Sequence, residues 1–472
     1  MNIKKREKYK RLIMGLISSV LIIFLLGSYA CAWLTHYNLV LNSDRIQADH
    51  FGWKGNLLIF GVYVVLIFLF SRIYNGFRIG LLRVSDIIYS QCLSVLFING
   101  ITYVQICLLE RSVADVLPML WVTLADMAFI GIWAFCGNRI YSKLYAPKKM
   151  VIIYGSRQAE GQGSDSRQPH RHRLVEKMSL REDRFMICRA VSCDEDISLI
   201  TELIVSYDAV IICDVPSERK NDILKICFAN SKRTYITPKL SDIIIRGAEQ
   251  IHLFDTPLLV CRNSGLSAES LIIKRAFDIL LSALGCIVTS PIMLITALCI
   301  KLYDGGPVFY TQDRLTRDGK VFKVYKFRSM KTDAEKDGVA RLAGEHDDRI
   351  TPVGRVIRKV RIDELPQLLN ILKGDMSIVG PRPERPELAS ENEKIMPEFR
   401  YRLKVKAGLT GYAQVLGKYN TTPYDKLRLD LMYIEQYSLL LDIKLILMTI
   451  KILFIPESTE GVKDDNSSGT AL

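Results

Sequence analysis

Long apolar stretches are the feature that most constrains how this chain of 472 residues can fold. Four of them lie in the first third of the sequence, at roughly 12–34, 57–70, 84–109 and 116–135. A helix needs about 20 mostly apolar residues to cross a bilayer, and polar interfacial residues can complete a shorter stretch. Hydrophobic residues make up 49% of the chain and the mean hydropathy is +0.16, which is unusual for a soluble protein. The sequence therefore predicts an N-terminal four-helix transmembrane bundle over residues 1–147.

Charges around these stretches predict their orientation. The loops around 44–54 and 110–115 are mixed or acidic, whereas the other flanks are basic. Because Lys and Arg are enriched in cytoplasmic loops, both ends of the bundle are expected in the cytoplasm. The net charge of +13, in a chain with such apolar stretches, indicates lipid headgroups and phosphates as partners rather than nucleic acid. The basic flanking residues are Lys4, Lys5, Arg6, Lys8, Lys10, Arg11, Arg72, Arg78, Arg83, Arg139, Lys143, Lys148 and Lys149.

Residues 148–265 change character and predict a soluble α/β module. Apolar runs of strand length lie at 150–154, 209–213 and 258–261, and a helical pattern precedes the second, which is typical of βαβ units. The turn after the first run, Gly155-Ser156-Arg157, is not the glycine-rich turn of a dinucleotide site. We therefore expect a degenerate Rossmann-like module without a cofactor, with a working nucleotide site as the alternative.

Residues 266–456 form the third predicted domain, which opens with another apolar run. Basic residues flank the uncharged run 279–300 at both ends, and Ser290-Pro291 interrupts it. A proline inside a helix removes an N–H and clashes with the preceding turn. A spanning helix here would also export everything after it. We therefore expect a re-entrant helix hairpin at about 274–302, with a kinked spanning helix as the alternative, and a disordered tail at 457–472.

Two adjacent acids, Asp363-Glu364, are the strongest candidates for chemistry. Such a pair is usually solvated, but here it directly follows Arg358, Lys359 and Arg361. These cations are expected to depress the carboxylate pKa values and to collect phosphate. Phosphoryl transfer needs a nucleophile, arginines for the developing charge and a divalent cation, and Mg²⁺ prefers carboxylate and phosphate oxygens. The segment can supply each of these parts.

Other basic and glycine-containing segments fit the same kind of site. Lys326 and Arg328 lie in a segment of alternating cations and apolar residues, which by itself is typical of an amphipathic strand. Arg382 stands between two prolines, which would fix the backbone around it. The segment 408–414 carries two glycines for close backbone approach and ends on Gln414.

Together and in this order, the motifs of residues 274–451 resemble the bacterial sugar transferases, the monotopic phosphoglycosyl transferases. The N-terminal bundle and central module are similar to the long form of that family, the polyprenyl glycosylphosphotransferases of exopolysaccharide, capsule and O-antigen synthesis. The motifs are Lys274–Asp278, Ser290-Pro291, Gly306–Phe309, Lys326–Met330, Asp363–Gln367, Lys373–Ser377, Val379–Pro383 and Gly408–Gln414.

The resemblance implies a two-step reaction at the cytoplasmic face of the bacterial inner membrane. Asp363 would attack the β-phosphorus of a UDP-sugar and release UMP. Undecaprenyl phosphate would then take the phosphosugar from the enzyme. Glu364 would hold Mg²⁺ or assist the acceptor. Ser290-Pro291 would set the re-entrant angle so that Asp363 lies at the depth of the lipid headgroups. The residues that would bind phosphate or substrate are Lys326, Arg328, Arg358, Arg382 and Gln414.

Several alternatives stay open on the sequence. The expected donor is UDP-galactose or UDP-glucose, and the same reaction with a UDP-N-acetylhexosamine is the alternative. A non-catalytic membrane scaffold and a transporter using Asp86 or Asp126 are more remote. The resemblance also implies that the N-terminal parts build a homodimer or contact a regulator.

The chain departs from the family's usual pattern at three places. Arg361-Ile362 replaces Ser/Thr-Leu before the acidic pair, Thr316 replaces a glycine, and Ala407 replaces a proline. We expect the last two to alter loops near the sugar.

Overall fold

The computed structural model describes residues 9–43, 52–155, 185–261, 265–331, 349–417 and 421–453. The chain divides into two compact units, Met1–Thr237 and Pro238–Leu472. The predicted disordered tail, 457–472, lies outside the described residues. The division into three domains and a tail stays a prediction.

The first unit begins with apolar helices where the sequence predicts them. A π-helical turn, Trp33–Tyr37, joins the first two, so that residues 10–43 form one long helical segment. Ser28 Oγ donates to Asp126 Oδ1 over 2.6 Å, and Tyr63 Oη donates to Asn99 Oδ1 over 2.8 Å, so polar side chains link helices that are far apart in sequence. The helices are α1 (Lys10–Ala32), α2 (Asn38–Ser43), α3 (Trp53–Ile73), α4 (Val84–Glu110) and α5 (Leu117–Leu144).

A parallel four-stranded sheet follows in the same unit. Its order is β2-β1-β3-β4, and the two central strands are apolar on both faces, as expected for strands that pack against two layers. This confirms the α/β character of the segment. A Cβ at Gly155 would clash with the carbonyl of Asp214, so this glycine is required for a close backbone contact at the strand end. The elements are β1 (Lys148–Tyr154), β2 (Phe185–Ser192), α6 (Ile197–Ser206), β3 (Ala209–Cys213), α7 (Ser217–Ala229) and β4 (Arg233–Ile236).

The second unit starts with helix α8 (Leu240–Arg246) and an antiparallel hairpin of β5 (Glu249–Leu253) and β6 (Thr256–Val260). The run 258–261 is thus largely a strand, as predicted, but it lies in an antiparallel hairpin and not in the parallel sheet. Only two residues join β5 to β6, and a parallel crossover needs about a dozen.

Helix α9 (Ala268–Asp304) is 37 residues long and contains Pro291 in its interior. The interruption that we expected at Ser290-Pro291 is not found, since residues 268–304 are helical throughout. Pro291 cannot donate to the carbonyl of Ile287, four residues earlier. Ser290 Oγ donates to that carbonyl instead, over 2.8 Å. A serine before the proline therefore satisfies the carbonyl that the proline leaves free. The return of the chain to the same membrane face stays a prediction.

Short elements around a common apolar core complete the second unit. Tyr433, Ile371 and Met376 are among its most buried members. β7 and β8 pair antiparallel, and β9 and β10 pair parallel. The elements are β7 (Phe309–Leu315), β8 (Val321–Phe327), α10 (Pro352–Lys359), α11 (Gln367–Lys373), β9 (Ser377–Val379), α12 (Pro386–Ile395), β10 (Gly408–Thr410), α13 (Tyr412–Leu416), α14 (Pro423–Glu435) and α15 (Leu439–Leu453), with 3₁₀ turns at Arg317–Gly319, Ile362–Glu364 and Pro397–Lys404.

Both ends of α9 are fastened to these elements. Near its start, buried Lys274 pairs with Asp442 of α15 over 2.6 Å. One turn later, Asp278 accepts hydrogen bonds from Ser377 Oγ at 3.1 Å and from the backbone N–H of Ile378 at 3.0 Å. Near its end, Ile300 packs in a buried cluster with Phe327 and Ile357.

Candidate active site

The acidic pair lies on a 3₁₀ turn, Ile362–Glu364, between α10 and α11. Arg361 begins this turn in the left-handed region, with φ of +59°. A non-glycine residue in that region is uncommon and costs about 1 kcal/mol or more. Asp363 and Glu364 are both half-buried. The strained residue turns the chain sharply after α10, so that both carboxylates follow the basic end of that helix.

Glu364 is the centre of a cationic network. Its Oε1 accepts from Lys326 Nζ at 2.9 Å and from Arg382 Nη2 at 3.3 Å. Its Oε2 lies 3.9 Å from Arg361 Nη1. Burial opposes ionisation, but Lys326, Arg382 and Arg361 outweigh it and hold the pKa of Glu364 well below its ordinary value. For Glu364 the prediction of a depressed pKa is therefore confirmed.

Asp363 behaves differently from its neighbour. Its carboxylate has no hydrogen-bond partner among the described residues. Burial, and then the charge of Glu364, raise its pKa above the ordinary value, although Lys326, Arg358 and Arg361 act in the opposite direction. The prediction of a depressed pKa is thus wrong for Asp363, because the nearby cations engage Glu364 and leave Asp363 buried beside another negative charge. The result is one carboxylate fixed by cations and one that has no hydrogen bond within the described part of the chain.

Two other arginines hydrogen-bond to the backbone of the loop that carries Arg382. Arg402 Nη2 donates to the Arg382 carbonyl at 3.0 Å, and Arg314 Nη1 donates to the Pro383 carbonyl at 3.2 Å. Arg402 is fully buried and pairs with the equally buried Asp430 at 2.8 Å. Burial raises the pKa of Asp430 to about 6. These contacts fix the backbone of the loop, while the Arg382 side chain reaches Glu364.

A pocket opens beside Glu364. Gln414 faces it with a buried carboxamide, and neither the oxygen nor the nitrogen of that group has a hydrogen-bond partner among the described residues. Gly408 and Gly411 make the expected close backbone approach, since a Cβ at either would clash with the backbone of Gly380. The pocket is lined by Arg314, Val324, Lys326, Glu364, Gln367, Arg382, Pro383, Gly408, Leu409 and Gln414.

Most of the predicted site residues come together here. Lys326, Arg382, Glu364 and Gln414 line this pocket. Asp363 is next to Glu364, and the charge of Arg358 acts on Asp363. No group of three or more His, Cys, Asp or Glu side chains able to hold a metal is found in the described part of the chain.

Arg328 and the Ser290-Pro291 pair lie elsewhere. Arg328 is buried and pairs with Asp304 at the end of α9. The pair Ser290-Pro291 lies in the middle of that helix. The positions of Arg314 and Gln367 in the pocket and the contact of Arg361 with Glu364 were not predicted from the sequence. Two features of the sequence could have predicted the first two residues. Arg314 lies in a strand-like segment, 309–315, and Gln367 lies one helical turn after the acidic pair.

Comparison with known proteins supports the family resemblance of residues 274–451. The family model described as "Bacterial sugar transferase" matches residues 269–456. The exopolysaccharide production protein PSS of Rhizobium leguminosarum bv. phaseoli is 39% identical over 200 residues, which cover 40% of this chain and 98% of that protein.

Two longer relatives match a larger part of the chain. The UDP-N-acetylgalactosamine-undecaprenyl-phosphate N-acetylgalactosaminephosphotransferase of Aeromonas hydrophila is 37% identical over 254 residues, which cover 52% of this chain and 59% of the relative. The undecaprenyl-phosphate glucose phosphotransferase of Komagataeibacter xylinus is 38% identical over 255 residues, covering 52% and 48%. The chain therefore spans about half the length of these two curated relatives.

Proposed function

The chain belongs to the bacterial sugar transferase family, and from this premise we propose that it transfers a sugar 1-phosphate from a UDP-sugar to undecaprenyl phosphate. The relatives named for N-acetylgalactosamine and glucose transfer support the reaction class and leave the sugar open. The product would be the first lipid-linked intermediate of an exopolysaccharide, capsule or O-antigen.

The observation that carries the proposal is the unequal pair Asp363 and Glu364. A nucleophilic carboxylate must be free to reach phosphorus, and Asp363 has no hydrogen-bond partner among the described residues. Burial and the neighbouring charge raise its pKa, which makes the ionised form more basic and a better nucleophile. Glu364 instead fixes Lys326 and Arg382 beside it, where they can meet phosphate oxygens.

The proposed reaction has two displacements at the same phosphorus atom. An Asp363 oxygen bonds to the sugar-bearing phosphorus, and the bond from that phosphorus to the bridging oxygen breaks. The bridging oxygen keeps the electron pair and departs with UMP. An oxygen of undecaprenyl phosphate then bonds to the phosphorus, and the Asp363 carboxylate leaves. Lys326, Arg358 and Arg382 would neutralise charge in both steps.

Mg²⁺ is part of the proposal and fits the oxygen donors present. Lys326 and Arg382 donate to Glu364 Oε1, whereas Oε2 has Arg361 Nη1 at the longer distance of 3.9 Å, so Oε2 and the Asp363 carboxylate are the candidate ligands. One or two carboxylates with substrate phosphate and water are a usual Mg²⁺ environment. When bound, the ion would withdraw charge from the phosphate oxygens. We assign Glu364 Oε2 to hold it.

The membrane arrangement is also proposed. Five described helices are long and apolar enough to cross a bilayer, namely those at 10–43, 53–73, 84–110, 117–144 and 268–304. We propose that the first four form a transmembrane bundle and that α9 enters and leaves one leaflet. In a straight helix Asp278 and Ile300 would lie about 33 Å apart. Both nevertheless contact short elements of the same small domain, which supports a bent course.

This arrangement would put the catalytic residues at the cytoplasmic surface of the inner membrane, where UDP-sugars are available. Membrane lipids would surround α9. The homodimer stays a proposal without a residue assigned to it.

The experiment is to incubate the detergent-solubilised full chain with Mg²⁺, undecaprenyl phosphate and a panel of UDP-sugars, and to identify the released nucleotide. We expect UMP with one preferred donor among UDP-glucose, UDP-galactose and UDP-N-acetylgalactosamine, and none with Asp363→Asn. Asp318→Asn, at an exposed aspartate outside the site, is the matched control. Release of UDP would mean ordinary glycosyl transfer and would refute the proposal. A folded wild-type chain that released no nucleotide would support the scaffold alternative.

A further inference from the structure

More positively charged than negatively charged side chains line the pocket beside Glu364. Arg314 and Arg382 both line it, and Arg385 is close enough to act on Arg314. Burial, and then repulsion from Arg382 and Arg385, lower the pKa of Arg314 to about 10. Among the described residues that line this pocket, Glu364 is the only acid, and Lys326 and Arg382 already engage it. Crowded guanidinium groups of this kind favour binding of an anion.

Arg314 retains donors for such an anion. Its Nη1 donates to the Pro383 carbonyl and its Nη2 donates to Gln312 Oε1 at 2.7 Å. A guanidinium has five N–H groups, and the other N–H groups of Arg314 have no partner among the described residues. The side chain is thus fixed in place by two contacts while part of its fork faces the pocket.

Gln414 adds a neutral group to the same pocket. Its carboxamide offers a donor next to an acceptor, both are buried, and neither is satisfied within the described chain. A buried polar group without a partner carries a free-energy cost. A ligand with a complementary acceptor and donor would remove that cost on binding. The edge of a uracil ring, with an N–H beside a carbonyl, has this pattern.

We propose that Arg314 and Gln414 form the subsite of the departing nucleoside monophosphate. Arg314 binds the phosphate that leaves with the nucleoside, and Gln414 binds the nucleoside itself. Lys326 and Arg382 stay with the phosphate that bears the sugar. This inference rests on the proposed function, because only a reaction that releases UMP needs a subsite used in the first displacement and not in the second.

The two displacements can be measured separately. Exchange of radiolabelled UMP into the UDP-sugar without lipid reports the first, and transfer from the preformed phosphosugar-enzyme to undecaprenyl phosphate reports the second. We expect Arg314→Gln and Gln414→Leu to raise the UMP concentration for half-maximal exchange by about tenfold or more. Transfer to lipid should stay within about twofold of wild type. Arg317→Gln, at a partly exposed arginine of the following turn, is the matched control and should change neither.

Two results would overturn the proposed subsite. An equal loss in both displacements would mean that Arg314 only positions Arg382 through the Pro383 carbonyl, and would overturn the subsite. Unchanged UMP dependence would overturn it as well. Arg314→Lys keeps the charge and should lose less than Arg314→Gln, which tests the assignment if the glutamine variant folds poorly. Absence of exchange in the wild-type chain would refute the proposed two-step reaction on which the subsite rests, whereas the proposed transfer of sugar 1-phosphate would be refuted by release of UDP.

Discussion

Ala407 donates its backbone N–H to Thr316 Oγ1 over 3.2 Å. The chain departs from the family's usual pattern at both positions, and the contact links the two departures. A proline at 407 would have no N–H to donate, and a glycine at 316 would have no hydroxyl to accept it. Thr316 Oγ1 in turn donates to the Asp375 carbonyl at 2.8 Å. We infer that the two departures are coupled, because together they supply the donor and the acceptor of a hydrogen bond that proline and glycine could not form.

A double-mutant cycle tests this coupling. Ala407→Pro alone leaves the buried Thr316 hydroxyl without its donor and should lower the free energy of unfolding by roughly 1 kcal/mol through that contact. In the Thr316→Gly background the same change should cost less, with a coupling energy of about 0.5–1.5 kcal/mol. Denaturant unfolding of the four chains in detergent measures it. Strictly additive losses would show that the two positions are independent.

The second prediction concerns the pH dependence of the first displacement. Asp363 must be ionised to attack, so activity should fall as pH drops through its pKa, which is raised above the ordinary value. Glu364 raises that pKa and Lys326 lowers it. Glu364→Gln should therefore move the acid limb of the residual activity to lower pH, and Lys326→Met should move it to higher pH.

The pH profile of lipid-independent UMP release measures both shifts, with Lys320→Met as a control outside the site. Shifts in the same direction for Glu364→Gln and Lys326→Met would contradict the assignment of Asp363 as the titrating group.

The third prediction is that Arg328 contributes to stability, whereas Lys326 contributes to binding of the donor. Arg328 is buried and pairs with the exposed Asp304, so Arg328→Gln should lower the thermal stability by removing this ion pair. The donor KM of the folded fraction should stay within about twofold. Lys326→Gln should change the donor KM more than it changes the stability. Thermal unfolding and donor KM, measured on both variants, decide the matter. A donor KM raised in Arg328→Gln at unchanged stability would return Arg328 to the substrate site.

The fourth prediction concerns the proline of α9. Ser290→Ala removes the hydroxyl that donates to the Ile287 carbonyl and should destabilise the chain by about 1 kcal/mol. With Pro291→Ala already present, residue 291 can donate to that carbonyl itself, so Ser290→Ala should cost much less. Unfolding in detergent or lipid nanodiscs compares the two backgrounds. Equal costs would mean that the serine serves some other contact.

Local patterns in the sequence predicted much of this structure. The apolar stretches became helices, strand-length runs became strands, and two glycines in 408–411 made a close backbone contact. The partners of charged side chains were harder to predict, because they depend on contacts between distant segments. Arg328 was assigned to substrate from its motif, yet Asp304 lies beside it. The pKa of Asp363 likewise depended on which carboxylate the cations reached, which adjacency in sequence could not decide.

The proposed two displacements both require a covalent intermediate on Asp363. The wild-type chain should be mixed with the preferred UDP-sugar and Mg²⁺ in the absence of lipid, quenched, digested and examined by mass spectrometry. We predict one equivalent of UMP and a sugar-phosphate adduct on the peptide that contains Asp363, both lost in Asp363→Asn and retained in Asp318→Asn. UMP release that strictly required undecaprenyl phosphate, with no adduct on Asp363, would contradict the two-step mechanism.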